Sequence, residues 1–177
     1  MTIVDSGNPV ESHGFETVTK DPAAIRSAFN RFPSGIAALC AEVDGRPTAL
    51  VASSFSVGVS FDPPLVLFSV QNSSSTWPVL RLAKSVGVSV LGKDHAQVCS
   101  QLASRTGDRF VGLDTVATES GSLFIGDSAL WLDCTIMSET PAGDHQLVLL
   151  EVTSLKVEAD REPLIYHGAA FRQLAAT

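Results

Sequence analysis

Ala49-Leu50-Val51-Ala52-Ser53-Ser54-Phe55-Ser56, then Asp62-Pro63-Pro64-Leu65-Val66-Leu67, then Gln71-Asn72-Ser73-Ser74-Ser75-Thr76-Trp77-Pro78, follow one another closely along the chain. They spell out strand, turn, strand, hydroxyl-rich loop and helix. The small side chains of Ala52, Ser53 and Ser54 would let a flat ring lie close to the backbone, whose N–H and C=O groups could bond to a polar ring edge. Ser73 to Thr76 stand just before a helix with Pro78 in its first turn, so N–H groups and hydroxyls converge there, as they do where phosphate binds. A plain helix cap behind a polar loop reads the same way, and this loop alone decides nothing.

Working outward, Ile36 to Val43 and Pro47 to Phe55 are apolar runs separated by Asp44-Gly45-Arg46, a hairpin signal. Leu65 to Val70, Val86 to Leu91, Leu130 to Met137 and His145 to Val157 read as further strands, with Leu164 to Tyr166 as a short last one. Asp21-Pro22 starts a helix, with Ile25, Ala28, Phe29 and Phe32 at helical spacing. Trp77 to Ala83 and Asp94 to Arg105 read as short helices, the second capped by Asp94. Several strands that are apolar on both faces, with few helices, predict a mainly β domain: a closed or nearly closed barrel with helices flanking it.

The chain of 177 residues fits one domain. Residues 1–20 read as a loose, flexible N-terminal arm and residues 21–177 as the domain. Hydrophobic residues make up 45% and charged ones 18%, the composition of a well-filled interior. A formal charge of −7 without a Lys/Arg stripe argues against nucleic acid. Cys40, Cys99 and Cys134 are odd in number and widely spaced, which predicts buried free thiols. His13, His95, His145 and His167 show no metal-ligand spacing, so no metal is expected. There is no secretory signal and no apolar run long enough to span a membrane, which places the protein in the cytoplasm and off the membrane.

Seven segments in order resemble the flavin reductase family with the FMN-binding split barrel. Phe32-Pro33-Ser34-Gly35 is similar to its Phe-Pro-Thr-Gly opening. Ala52 to Phe55 and Ser60 to Leu65 resemble its flavin strand and turn, and Ser75-Thr76-Trp77-Pro78 its phosphate loop. Val88 to Leu91 resembles Val-Asn-Val-Leu, Asp108-Arg109-Phe110 resembles Asp-Lys-Phe, and Ala142 to His145 contains its Gly-Asp-His. The likeness runs from about Ile25 to Phe171. It implies a homodimer that binds FAD or FMN, reduces it with NADH (NADPH is possible) and releases reduced flavin to a partner monooxygenase. Val51 stands where the family often has Thr. Tyr166-His167-Gly168-Ala169-Ala170-Phe171 stands where Tyr-His-Arg-Gly-x-Tyr is common.

Hydride transfer between cofactors needs alignment and electrostatics from the protein rather than a catalytic triad. For the ring, the candidates are Val51, Ala52, Ser53, Ser54, Ser69, Val70 and Gln71, with Tyr166 from the last motif. For phosphate they are Ser75, Thr76, Ser104, Arg105 and Arg109, because an Arg fork can donate two bonds at once. His145 matches the family position beside the nicotinamide and is expected to position it. Two other readings stay open: a split-barrel oxidoreductase with permanently bound flavin, and a flavin-binding module without turnover.

Overall fold

The hairpin, the hydroxyl loop and the long final strands all recur in the computed structural model, which describes Val18 and residues 20–174. The arm expected over residues 1–20 falls, apart from Val18 and Lys20, outside the described residues. Helix α1 (Pro22–Phe29) precedes β1 (Ser34–Gly35), β2 (Ala37–Val43), β3 (Arg46–Ala52), β4 (Ser56–Phe61) and β5 (Pro64–Gln71). Helix α2 (Trp77–Leu80), β6 (Val86–Val90) and α3 (Ala96–Leu102) follow. Strands β7 (Thr115–Ala117), β8 (Leu123–Ile125), β9 (Leu130–Ala142), β10 (His145–Val157), β11 (Ile165–His167) and β12 (Ala170–Arg172) complete the chain.

Seven strands form one sheet in the order β3-β2-β6-β9-β10-β5-β4. Strands β3 and β4 are its two ends, yet only Ser53, Ser54 and Phe55 separate them in sequence. Laid flat at about 4.8 Å per neighbour, the ends would lie about 29 Å apart. Four Cα steps from Ala52 to Ser56 reach about 15 Å at most. The sheet therefore has to roll up, and it does so as a barrel left open between β3 and β5.

Alternation along the strands divides the core in two. Leu39, Phe68, Val88, Val148 and Leu150 point into the roll, where Leu80 of α2 joins them. Ala38, Cys40, Leu91, Leu102, Ile125 and Leu164 form a second cluster on the outer side, under α3 and β8. Strand β2 is buried at five successive positions because both its faces are covered. Burial pushes the Cys40 and Cys134 thiols up to about 12 and raises that of Cys99, and all three are free.

The Asp44-Gly45 turn closes the first hairpin with φ of 51° and 71°, the doubly positive pair that a two-residue turn of matching twist requires. Strand β3 stops at Ala52 instead of continuing to Phe55, because the chain must leave one end of the sheet for the other. β4 was not foreseen: it pairs with β5 only at Ser56, Ser60 and Phe61, and an irregularity between them breaks the period a reader would look for. Asp94 does not cap α3. The cap position is His95, whose Nδ1 accepts the Gly92 N–H at 3.2 Å and so closes the preceding turn. Burial lowers the His95 pKa. Asp21 does cap α1, its Oδ1 accepting the Ala23 N–H at 2.9 Å. That helix ends at Phe29, short of Phe32. Beyond Leu80, α2 tightens into i→i−3 bonds up to Ala83.

Gly87 on β6 lies against β8 so closely that a Cβ there would stand 2.2 Å from the Leu123 carbonyl oxygen. Backbone cannot move aside as a flexible side chain can. Gly87→Ala should therefore destabilise the fold by about 1–3 kcal/mol, the usual cost of overpacking a core. Urea unfolding measures it, and an unchanged midpoint would show that β8 gives way freely.

Candidate functional site at the open seam

Where β3 and β5 fail to pair, one side chain spans the gap. The Ser54 hydroxyl donates to the Ser69 carbonyl at 3.0 Å and accepts the Ser69 N–H at 3.2 Å, taking the place of a backbone partner. A cavity of about 780 Å³ opens along this seam, within the range of cofactor sites. Its walls are the segment Ala49 to Ser54, Ser69 to Gln71, Ser73 to Thr76, the end of α3 and the loop beyond it.

Arg109 braces the seam from outside. Its Nη1 donates to the Ala49 carbonyl at 2.9 Å and to the Thr76 hydroxyl at 3.2 Å, tying β3 to the hydroxyl loop. Because the Ala49 carbonyl reaches Arg109, it points away from β2, toward the open edge. Alternate residues of a strand direct their backbone groups to the same side, so the N–H and C=O of Val51 face that edge too.

The hydroxyl loop is held at both ends. The Ser74 N–H donates to the Gln71 carbonyl at 2.9 Å, and the Ser74 hydroxyl accepts the Trp77 N–H at 3.1 Å. Thr76 sits at the cap position of α2 without capping it, its hydroxyl being engaged by Arg109. The single-turn α2 is in turn anchored to β9: the Trp77 indole N–H donates to Glu139 Oε2 at 3.0 Å, and Arg81 pairs with Glu139 Oε1 at 2.8 Å. Ser75 and Arg105 line the cavity and make no hydrogen bond or ion pair with protein among the described residues. Hydroxyl and guanidinium thus face the cavity with their donors available to an anion.

His145 opens β10 on the same cavity wall. Its Nδ1 lies 2.7 Å from Asp144 Oδ1, and this contact lowers the Asp144 pKa. Asn72 fastens the turn that carries both residues. Its N–H donates to the Asp144 carbonyl at 2.9 Å and its side-chain amide to the Gly143 carbonyl at 3.3 Å, while Gln146 donates to its Oδ1 at 2.9 Å.

Of the residues singled out in the sequence, Val51, Ala52, Ser53, Ser54, Ser69, Val70, Gln71, Ser75, Thr76, Arg105, Arg109 and His145 all line this one cavity. Ser104 and Tyr166 do not. The Ser104 hydroxyl is used within its own turn, donating to the Thr106 carbonyl and accepting the Thr106 N–H. The Tyr166 ring packs against the outer core and edge-on to Phe171, with centroids 5.9 Å apart. Leu102 and Ala103 line the cavity without having been foreseen, since their place follows from how α3 docks and from no local pattern. Asn72 and Glu139 were missed for the same reason. Among the described residues no group of three or more His, Cys, Asp or Glu side chains could hold a metal ion.

A rolled sheet with one open seam, small residues on the seam strand and hydroxyls beside an Arg pair is the architecture of a split-barrel protein built for a flat, phosphorylated cofactor. Residues 29–175 match the family described as flavin reductase like domain. A flavin reductase of Pseudomonas putida is 34% identical over 157 residues, spanning 88% of this chain and 92% of its own length. The reductase subunit HsaB of a flavin-dependent monooxygenase from Mycobacterium tuberculosis is 33% identical over 151 residues, 84% of this chain and 80% of its own. The solved NADH:FAD oxidoreductase SgcE6 of Streptomyces globisporus, in complex with NAD and FAD fragments, superposes with a TM-score of 0.85 at 31% identity, covering 91% of this chain and 98% of that one. The chain belongs to the flavin reductase-like family.

If the Ser54 hydroxyl closes the seam, Ser54→Ala should cost about 1 kcal/mol or less, since the site is exposed and water can replace the bonds. Amide exchange at Ser69 should quicken in step. A Ser69 amide that exchanges at the parent rate would remove Ser54 from that role.

Proposed function

We propose that this chain is an NAD(P)H:flavin oxidoreductase that reduces FAD or FMN and supplies it to a partner monooxygenase. The observation that carries the reading is the cavity on the seam, where an unpaired strand edge, small side chains and phosphate-binding donors meet. These residues fit a flavin. The β3 edge at Val51, with Ser53, Ser54 and Ser69 to Gln71, offers the backbone and hydroxyl groups that a polar ring edge needs. Ser75, Thr76, Arg105 and Arg109 line the same cavity and offer hydroxyl and guanidinium donors to an anion. When bound, the flavin would take a hydride from the nicotinamide and leave reduced.

In this reading the protein binds and aligns. Preorganised N–H groups on the seam favour negative charge at the ring edge without reorganising. His145, seated by Asp144, positions the nicotinamide at the cavity wall. Ser104 and Tyr166 support the Arg105 loop and the outer core. The only Arg pair on the cavity among the described residues is spoken for by the flavin phosphate, so nothing beside it suits a 2′-phosphate, and NADH is the favoured donor.

The relative HsaB is the reductase subunit of a monooxygenase, which supports a monooxygenase partner for this chain too. A homodimer is supported by the surface. End strand β4 leaves Val57, Val59 and Phe61 exposed, Phe61 to 89%, and Met137 and Leu147 are exposed on β9 and β10. An apolar strand edge of this kind is a template for association unless something covers it. Among the described residues no helix is long and apolar enough to cross a membrane. Three free thiols suit a reducing compartment, in keeping with work in the cytoplasm.

NADH oxidation with FMN and FAD titrated separately tests the activity. No turnover with either flavin would sink it, and turnover that needs no added flavin would favour a permanently bound cofactor. His145→Ala should keep its flavin affinity but lose roughly tenfold or more in single-turnover reduction, since a positioning contact acts on the approach of the reacting atoms. An unchanged rate at all NADH concentrations would return His145 to an ordinary strand residue. In light scattering the parent should have twice the mass of one chain and Phe61→Lys should shift it toward monomer. A parent that is monomeric while active would exclude the dimer.

A further inference from the structure

Both carbonyls of the turn that carries His145 end on one residue, Asn72. Gly143 and Asp144 form the two-residue turn between paired Ala142 and His145, with Gly143 at φ 64°. The Asn72 N–H donates to the Asp144 carbonyl at 2.9 Å, and the Asn72 side-chain amide donates to the Gly143 carbonyl at 3.3 Å. Gln146 Nε2 donates to Asn72 Oδ1 at 2.9 Å, so the amide is engaged at both ends and can face only one way. One residue earlier, Gln71 faces His145 as the pair at the end of the β5–β10 ladder. One residue later the hydroxyl loop begins, and its Ser74 N–H returns to the Gln71 carbonyl at 2.9 Å. Asn72 thus joins the strand that offers ring contacts, the loop that offers phosphate donors and the turn that holds His145.

Stability does not account for this convergence. Asn72, Gly143 and Asp144 are all exposed, and exposed hydrogen bonds replace bonds to water at little net gain. The contact between His145 and Asp144 cannot hold itself in place either, because the Asp144 side chain is 90% exposed and an ion pair in water is weak. What keeps Asp144 Oδ1 at 2.7 Å from His145 Nδ1 is the backbone of the turn, and that backbone is what Asn72 grips. Gln71 and Ser73 line the cavity, whereas Asn72 between them does not, so its side chain is spent on the turn rather than on a ligand.

We propose that Asn72 is a positioning residue for hydride transfer, acting through the Gly143-Asp144 turn to set the His145 imidazole against the nicotinamide. This rests on the flavin reductase reading and on the role given there to His145. Asn72 touches neither cofactor; its whole effect passes through the turn.

Asn72→Ala removes the side-chain bonds and keeps the backbone one. In the flavin-free full chain, NMR titration of the Asp144 carboxyl reads the turn directly. The His145 contact holds the Asp144 pKa below the usual carboxylate range, and the variant should let it rise toward that range. With FMN bound, single-turnover reduction at saturating NADH should fall about fivefold, while FMN affinity, followed by fluorescence quenching, stays at the parent value. In the His145→Ala background, Asn72→Ala should slow reduction no further, because two residues that act through one imidazole are not additive. If Asn72→Ala does not fold, Asn72→Ser, whose side chain is too short to span Gly143 and Gln146, is judged by the same measurements. A parent reduction rate, an unmoved Asp144 titration, a fully additive loss in the double variant or weakened FMN binding would each overturn the proposal and leave the role of His145 standing. A parent rate in His145→Ala would remove the His145 reading, and failure of FMN to bind the parent would remove the flavin reading; either takes this inference with it.

Discussion

Three residues, Ser53 to Phe55, have to connect the two ends of a seven-stranded sheet, and that single shortage of chain shapes the molecule. A flat sheet cannot satisfy it, so the sheet rolls until its ends approach. Had β3 and β5 then paired along their length, their polar groups would have been consumed and no seam would exist. Instead the link starts from the end of β3 and spends Ser54 on one bridging contact to Ser69. The unpaired stretch beside it becomes the site.

An open edge within a rolled sheet would be costly if it were dry, because buried backbone groups need partners. Here the seam is flanked by hydroxyls and by Arg109, so water or a polar ligand can satisfy it. The parts are held by long-range braces rather than by the loops themselves. Arg109 ties the outer loop to β3 and Thr76; Glu139 ties α2 to β9 through Trp77 and Arg81; Asn72 ties the His145 turn to the end of β5. A ligand meeting such a wall finds its donors already placed, which is what a protein can contribute when the cofactors carry the chemistry.

Much of this was legible in the residues. Asp44-Gly45 announces its hairpin because few residue pairs accept two positive φ angles in succession. The apolar runs of β2 and β6 mark strands covered on both faces, those of β5 and β10 mark strands with one buried face, and the Ser73 to Thr76 loop stands out by composition alone. What stayed hidden was whatever depends on contacts remote in sequence. Strand β4 carries an irregular ladder and exposed valines, so no period survives to be read. β7 and β8 are three residues each and are defined by pairing with one another. Asp94 offered a better cap than His95 on residue type, but the turn at Gly92 set the start of α3 one residue later. Ser104, a phosphate candidate beside Arg105, uses its hydroxyl within its own turn, and the ring of Tyr166, taken from the last motif, packs on the outer core. Family likeness supplied the expectation of a flavin; spacing alone reached only a β-rich domain with a polar loop.

The departure at Val51 follows from the same geometry. Its side chain packs against the outer core cluster that holds Leu91 and Leu102, while its backbone shares the open edge with Ala49. A hydroxyl at that position would have to find a partner in mostly apolar surroundings or turn toward the seam. Valine meets no such demand, and it also favours an extended backbone. The polar contribution of residue 51 to the site then comes from its main chain, which every residue but proline can supply in full. The family's usual threonine can be absent here without the seam losing the donor and acceptor that face it.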